Sequence, residues 1–200
     1  MIATLVLATR NQDKKKELSA LLAGLGICLR MVEEFPDAPD VIEDGETCEA
    51  NAVKKATEIA RYTGYTALAD DTGLQIEALG GNPGVFAARY AGLGANYEDN
   101  WRKVLHEMEG IPWERRQALF VTVAAIVQPG FEAHVADGSL RGMIAERPIG
   151  DQGFGYDPIF FIPSLGKTMA QLSTGEKNMI SHRAIALRKA KIILQTITEQ

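Results

Sequence analysis

Positions 2–9 read IATLVLAT and positions 11–26 read NQDKKKELSALLAGLG. The first run is apolar and too short for a buried helix, so it predicts an interior strand. The second is amphipathic. Leu18, Leu21, Leu22 and Leu25 recur at the spacing of one helix face, and Gly24 or Gly26 can end the turn. A chain that opens buried strand, loop, amphipathic helix is steered toward an α/β arrangement in which helices cover a sheet. The loop TRNQDK then lies at the carboxyl end of the strand, the edge where open α/β sheets bind ligands.

The rest of the chain keeps to that scheme. Residues 32–49 hold eight acids and no base, and Pro36 and Pro39 mark them as loop. A helix is expected over roughly 47–62, with Val53, Ala56 and Ala60 on one face. YTALA reads as the next strand, ending at Asp70 and Asp71. GGNPGVFAARYAG is glycine-rich and irregular. YEDNWRKVLHEM is a helix with Trp101, Val104, Leu105 and Met108 on one stripe. QALFVTVAAIVQ and EAHVADGSLRGMIA read as two strands around a PGF turn. GFGYDPIFFIP is a loop running into apolar residues, and a helix from about Ser181 carries Leu187, Ala190, Leu194 and Ile197 on one side. The expected fold is α/β, with an elongated central mixed sheet and flanking helices. All 200 residues are expected to form one domain with two lobes around a cleft.

Composition narrows the function. The chain is 46% hydrophobic and 24% charged, as folded globular proteins are. A net charge of -5 argues against general binding to nucleic acid or a membrane surface, which needs a basic face. Cys28 and Cys48 lack metal-ligand spacing and read as free thiols of a reducing compartment. No basic leader and no membrane-length apolar run is present, so the expected location is the cytoplasm.

Five stretches can carry chemistry. Thr9, Asn11 and Lys14 lie between a strand and a helix N-terminus, where free N–H groups favour an anion; a solvated charged turn would read the same way. Glu43, in the acidic loop, is either solvated or turned inward toward a metal. Asp70 and Asp71 are neighbours on a strand and should face opposite ways, one into the site and one supporting it; a turn closing the strand is the alternative. Mg²⁺ is held by one or two carboxylates plus waters and phosphates, and a carboxylate beside it can take a proton from water. Phe154 and Tyr156 flank Gly155 and precede Asp157, a set suited to stacking and hydrogen-bonding a nucleobase, or to anchoring a loop. Lys177, His182 and Arg183 stand near a helix start. A basic loop, a carboxylate cluster and an aromatic-basic pocket together are what a Mg²⁺-nucleoside phosphate site requires.

LATRNQDKKKEL, GETCEANAVKKA, ALADDTGLQIEALGGNPGVFAARYAG, GFGYDPIFFIP and EKNMISHRAIAL occur in this order over nearly the whole chain. In this the chain resembles the inosine triphosphate pyrophosphatase family. The resemblance implies Mg²⁺-dependent hydrolysis of dITP, ITP and XTP at the α–β phosphate bond, by a homodimer. It implies Asp71 as general base and metal-associated acid, Asp70 as its neighbour in the site, and Glu43 as the other metal acid. It assigns the triphosphate to the loop of Thr9, Arg10, Asn11, Gln12, Asp13 and Lys14. Lys55 matches an active-site lysine and Thr72 a substrate contact. Phe154, Gly155, Tyr156, Asp157, Lys177, His182 and Arg183 match the base-recognition elements. A donor aimed at the C6 oxygen of hypoxanthine or xanthine meets an amine in adenine, and such sites reject the wrong analogue by roughly 10⁴-fold or more.

Three positions depart from the family pattern. Arg10 and Asp13 stand where glycine is usual or frequent, and Ala50 where glutamate is frequent. Arg10 can bind phosphate itself. Asp13 must turn away, serve as helix N-cap or weaken triphosphate binding, because like charges about 4 Å apart cost about 4 kcal/mol at an effective dielectric of about 20.

Overall fold

The computed structural model describes residues 3–199. Met1, Ile2 and Gln200 lie outside the described residues, and with Ile2 goes the first position of the expected opening strand. That strand, β1, is Thr4–Leu7, and the helix α1 is Gln12–Leu22. β2 (Cys28–Met31) follows, then α2 (Cys48–Thr63) and β3 (Thr66–Ile76). After β4 (Pro83–Gly84) come α3 (Tyr97–Glu107), β5 (Gln117–Val127) and β6 (His134–Ile144). β7 (Phe160–Ile162), β8 (Lys167–Thr168), α4 (Thr174–Ile180) and α5 (His182–Glu199) complete the order.

The sheet has eight strands in the order β2-β1-β3-β5-β6-β7-β8, with β4 paired to β3. It is mixed, as expected. β1 pairs in parallel with β2 and β3, whereas β4 pairs antiparallel with β3, and β7 pairs antiparallel with β6 and β8. No helix among the described residues is long and apolar enough to cross a membrane.

The chain divides into two compact units. One comprises residues 1–71, 122–138 and 183–200, the other residues 72–121 and 139–182. The first is built on Leu5, Leu7, Leu18, Leu22, Leu68, Leu187 and Leu194, all buried, so the stripes read on α1 and α5 face one core. Each such side chain contributes about 1.5–3 kcal/mol by leaving water. The second packs Leu74, Ile76, Val104, Met108, Phe120, Ile159 and Phe160 together. There Arg116 is buried with its guanidinium donating to the carbonyls of Met108, Ile111, Ile144 and Ala145, so its buried charge is hydrogen-bonded on all three nitrogens.

Three local expectations need correction. α1 ends at Leu22, so Leu25 lies beyond the helix, partly buried against the same core. The buried face of α2 is Ala52, Ala56, Ile59 and Ala60, with Val53 only half-buried beside it. β3 does not stop at Asp71 but runs on to Ile76, placing both aspartates in mid-strand. The strand has no need to break there, because buried cations rather than solvent answer the charge of Asp70.

Candidate active site

The loop after β1 is organised by Asn11, the N-cap of α1. Its Oδ1 accepts from the backbone N–H groups of Asp13 and Lys14 at 3.0 and 3.1 Å. Asp13 is therefore not the cap. It sits in the first helical turn, where the helix dipole favours an acid. Thr9 Oγ1 accepts from the N–H of Asn11, and Gln12 is exposed at the helix start. Arg10 turns to the acidic segment. Its Nη2 donates to the carbonyl of Ala38 at 2.8 Å, and its Nε lies 3.8 Å from Asp40.

α1 also delivers Lys14 and Glu17 to one face, three residues apart, against β3. Lys14 Nζ is 3.2 Å from Asp70 Oδ2 and donates to the Asp70 carbonyl. Arg183, at the start of α5, donates from Nε to the same Oδ2 at 3.1 Å and from Nη1 to Glu17 at 2.5 Å. Lys55, on the buried side of α2, donates to the Asp70 carbonyl at 2.7 Å and to Glu43 at 2.5 Å. Asp71 points elsewhere. Its Oδ2 accepts from Asn51 Nδ2 at 3.1 Å. The neighbours thus have separate partners, as strand alternation requires.

Their electrostatics diverge accordingly. Burial alone would raise the pKa of Asp70, but Lys14, Arg183 and Lys55 overcome it and hold the carboxyl well below the usual carboxylate range. Burial raises the pKa of Asp71, Glu43 adds repulsion, and Lys14 and Lys55 only partly offset this, so Asp71 holds a proton more readily than a free aspartate. Two adjacent acids with opposed shifts are a recognised sign of divided roles. The pKa of Lys14 is lowered, first by burial and then by Lys55 and Arg183. Asp70 Oδ1 is buried without a hydrogen-bond partner among the described residues. No group of three or more His, Cys, Asp or Glu gathers to hold a metal among the described residues. The mutually repelling carboxylates of Glu43 and Asp71 offer instead an oxygen-only pair, which suits an ion that completes its shell with water and phosphate.

The second unit contains the aromatic-basic set. Asp157 Oδ2 accepts from the Phe154 N–H at 2.9 Å and pairs with the buried Lys177 ammonium. That ammonium lies 4.7 Å from the centroid of Phe154, whose ring packs on Tyr97. Tyr156 donates to the Ala87 carbonyl at 2.7 Å. His182 is buried and stacked on Phe120, with ring centroids 4.4 Å apart. Thr72 is half-buried on β3. Gly155 serves the backbone: its φ of +64° is left-handed, and nothing lies within 4 Å of where a Cβ would stand. At Gly153, by contrast, a Cβ would run into the Asp157 carboxylate.

Asn51, Glu17 and Cys48 belong to the first cluster although neither spacing nor periodicity marks them; they lie inside the motifs GETCEANAVKKA and LATRNQDKKKEL without a role of their own. Asn51 and Glu17 read as ordinary polar positions of amphipathic helices, and their partners lie 20 and 166 positions away. Cys48 is buried beside Asp71, and burial first, then that carboxylate, pushes its thiol up to about 12.

The Ham1 family model matches residues 5–193 of this chain. A Shouchella clausii protein named dITP/XTP pyrophosphatase is 47% identical over 193 residues, covering 96% of this chain and 97% of its own length. A Geobacter sulfurreducens protein of the same name is 49% identical over 187 residues, 94% of either chain. The solved structure of a HAM1 protein from Coxiella burnetii matches with a TM-score of 0.89 at 41% identity, over 98% of this chain and 100% of that one. The Staphylococcus aureus Ham1 protein matches with a TM-score of 0.86 at 38% identity, over 96% and 98%.

Proposed function

The chain belongs to the Ham1 family, and from that premise we propose that it hydrolyses the non-standard purine nucleoside triphosphates dITP, ITP and XTP. Water adds across the α–β phosphate linkage, giving the nucleoside monophosphate and pyrophosphate and removing these nucleotides from the pool. The names of the relatives support the substrate class. The observation that carries the reading within this chain is the Asp70–Asp71 pair, whose environments drive the two carboxyls apart.

Asp71 is the general base. Its raised proton affinity suits a group that must accept a proton from water in the transition state and release it afterwards. Asp70 stays ionised and fixes Lys14 and Arg183 at the site. Lys14 meets the triphosphate with a charge that burial and neighbouring cations have made costly, so an arriving anion relieves it. Thr9, Arg10, Asn11, Gln12 and Asp13 complete that loop. Glu43 and Asp71 would hold Mg²⁺, which supplies charge neutralisation for the phosphates. Phe154, Gly155, Tyr156, Asp157, Lys177 and His182 recognise the base, and Thr72 contacts the substrate. Arg183 bridges Asp70 and Glu17 with two of its five N–H donors, and with Lys177 and His182 it supplies the donors for the C6 oxygen. The family resemblance supports a homodimer, and two free thiols support a reducing, cytoplasmic location; sedimentation of the purified protein checks the dimer.

The test is a product assay with Mg²⁺ on dITP, ITP, XTP, dGTP and ATP, scoring pyrophosphate separately from phosphate. Pyrophosphate from the first three with little from the others is expected. Release of single phosphates would replace the reading with a general phosphatase, and full activity in excess EDTA would remove the metal from it.

A further inference from the structure

Asn51 lies in the first turn of α2 and is 1% exposed. Its amide has two partners of fixed character. The N–H of Gly45 can only donate, and it meets Oδ1 at 2.8 Å. On the other side the Asp71 carboxyl accepts, its Oδ2 meeting Nδ2 at 3.1 Å. The orientation of the amide is therefore set by chemistry, since the flipped amide would oppose donor to donor and acceptor to acceptor. Nδ2 also lies 3.5 Å from the Gly45 carbonyl. The chain approaches so closely at Gly45 that a Cβ there would lie 2.7 Å from Asn51 Oδ1 and 2.9 Å from the Ala50 Cβ. Gly45 is two residues from Glu43, which Lys55 holds from the next turn of the same helix. One buried amide thus joins the segment bearing Glu43 to the carboxylate of Asp71.

Building on the pyrophosphatase reading above, we propose that Asn51 is a positioning residue: its Nδ2 fixes the rotamer of Asp71 while its Oδ1 pins the Gly45 backbone and, with it, the placement of Glu43. The two arms are separable by substitution. Asn51→Asp keeps the shape and an acceptor for the Gly45 N–H but replaces the donor to Asp71 with a carboxylate oxygen that repels it. Asn51→Ala removes both. Loss of such a supporting hydrogen bond costs about 10- to 100-fold in activity in comparable sites.

The experiment measures kcat and KM for pyrophosphate release from dITP by wild type, Asn51→Asp and Asn51→Ala. It also follows hydrogen exchange of the backbone over residues 41–47 in the absence of nucleotide. The expected result is a kcat lower by about 10- to 100-fold in both variants with KM changed by less than about threefold. Exchange over 41–47 should stay near wild type in Asn51→Asp and quicken by about tenfold or more in Asn51→Ala. Wild-type kcat in Asn51→Asp, where the donor to Asp71 is lost and a repelling oxygen stands in its place, overturns the proposal. Unaltered exchange in Asn51→Ala overturns the Gly45 arm. An Asn51→Ala variant that does not fold leaves the decision to Asn51→Asp, whose packing is conserved. Absence of pyrophosphate release by wild type itself would instead overturn the reading of the whole site.

Discussion

Arg183 and Asp70 meet inside the protein, Nε to Oδ2 at 3.1 Å, although 113 positions separate them in the chain. Both side chains are almost wholly buried, at 3% and 0% exposure. Glu17 takes another donor of the same guanidinium, and Lys14 shares the same oxygen of Asp70. Replacing one partner of such a buried pair leaves an uncompensated charge. Arg183→Met is expected to destabilise the protein by about 3–5 kcal/mol. Urea unfolding of the two proteins at pH 7 checks it. A loss below about 1 kcal/mol would show that Lys14 alone suffices to compensate Asp70.

Asp70 also sets an acid limit. Its carboxyl ionises near 3.8 in the unfolded chain and far lower in the fold, despite burial, because of Lys14, Arg183 and Lys55. The fold therefore favours the charged form. This contribution is complete above the unfolded value and is withdrawn as pH falls through it toward the depressed folded value. Urea midpoints for Asp70→Asn should accordingly lie below wild type at pH 6, with the gap closing as pH drops below about 4. A gap that widened on acidification would reverse the assignment.

How far these relationships are legible in the sequence depends on their range. The opening strand and helix can be read because an apolar run and a leucine stripe are local signals, and the stop near Gly24 is visible as well. α4 has a signal that the stripe pattern does not convey: Ser173 and Glu176 form a capping box three residues apart, and reading only for apolar periodicity passes over it. β2 is four residues long with no fully buried position, so it leaves no alternation to read. Asp70 and Asp71 suggest the end of a strand because two adjacent acids call for solvent. What lets them stay inside is Lys14, Lys55 and Arg183, which the fold assembles from three helices. The pair itself is conspicuous; its partners are identifiable through family resemblance rather than through spacing.

Asp71→Asn separates chemistry from binding. The substitution keeps the shape of the side chain and removes its capacity to take a proton. Turnover of dITP should fall by about 10²- to 10⁴-fold. Nucleotide affinity, measured by titration calorimetry, should hold or improve, since one negative charge beside the triphosphate is gone. Unchanged turnover would take Asp71 out of the mechanism.

Arg10, in the loop after β1, and Lys14, in the first turn of α1, sit four residues apart but have different commitments. Lys14 is 16% exposed and held against Asp70, where a charge acts through little water. Arg10 is 44% exposed, and its bonds run to the carbonyl of Ala38 and toward the fully solvated Asp40. Exposed pairs of that kind are worth about 0.2–1 kcal/mol, less than a factor of ten in any equilibrium. Arg10→Ala should therefore lower kcat/KM for dITP by less than about tenfold. On the proposed reading Lys14→Ala removes the cation that meets the phosphates and should cost at least about tenfold more than Arg10→Ala. Steady-state kinetics on both variants, with circular dichroism to establish folding, decides the matter. A larger loss in Arg10→Ala would mean that the guanidinium leaves Ala38 to bind phosphate when nucleotide arrives, and that arginine at this position replaces the close backbone approach that glycine would allow.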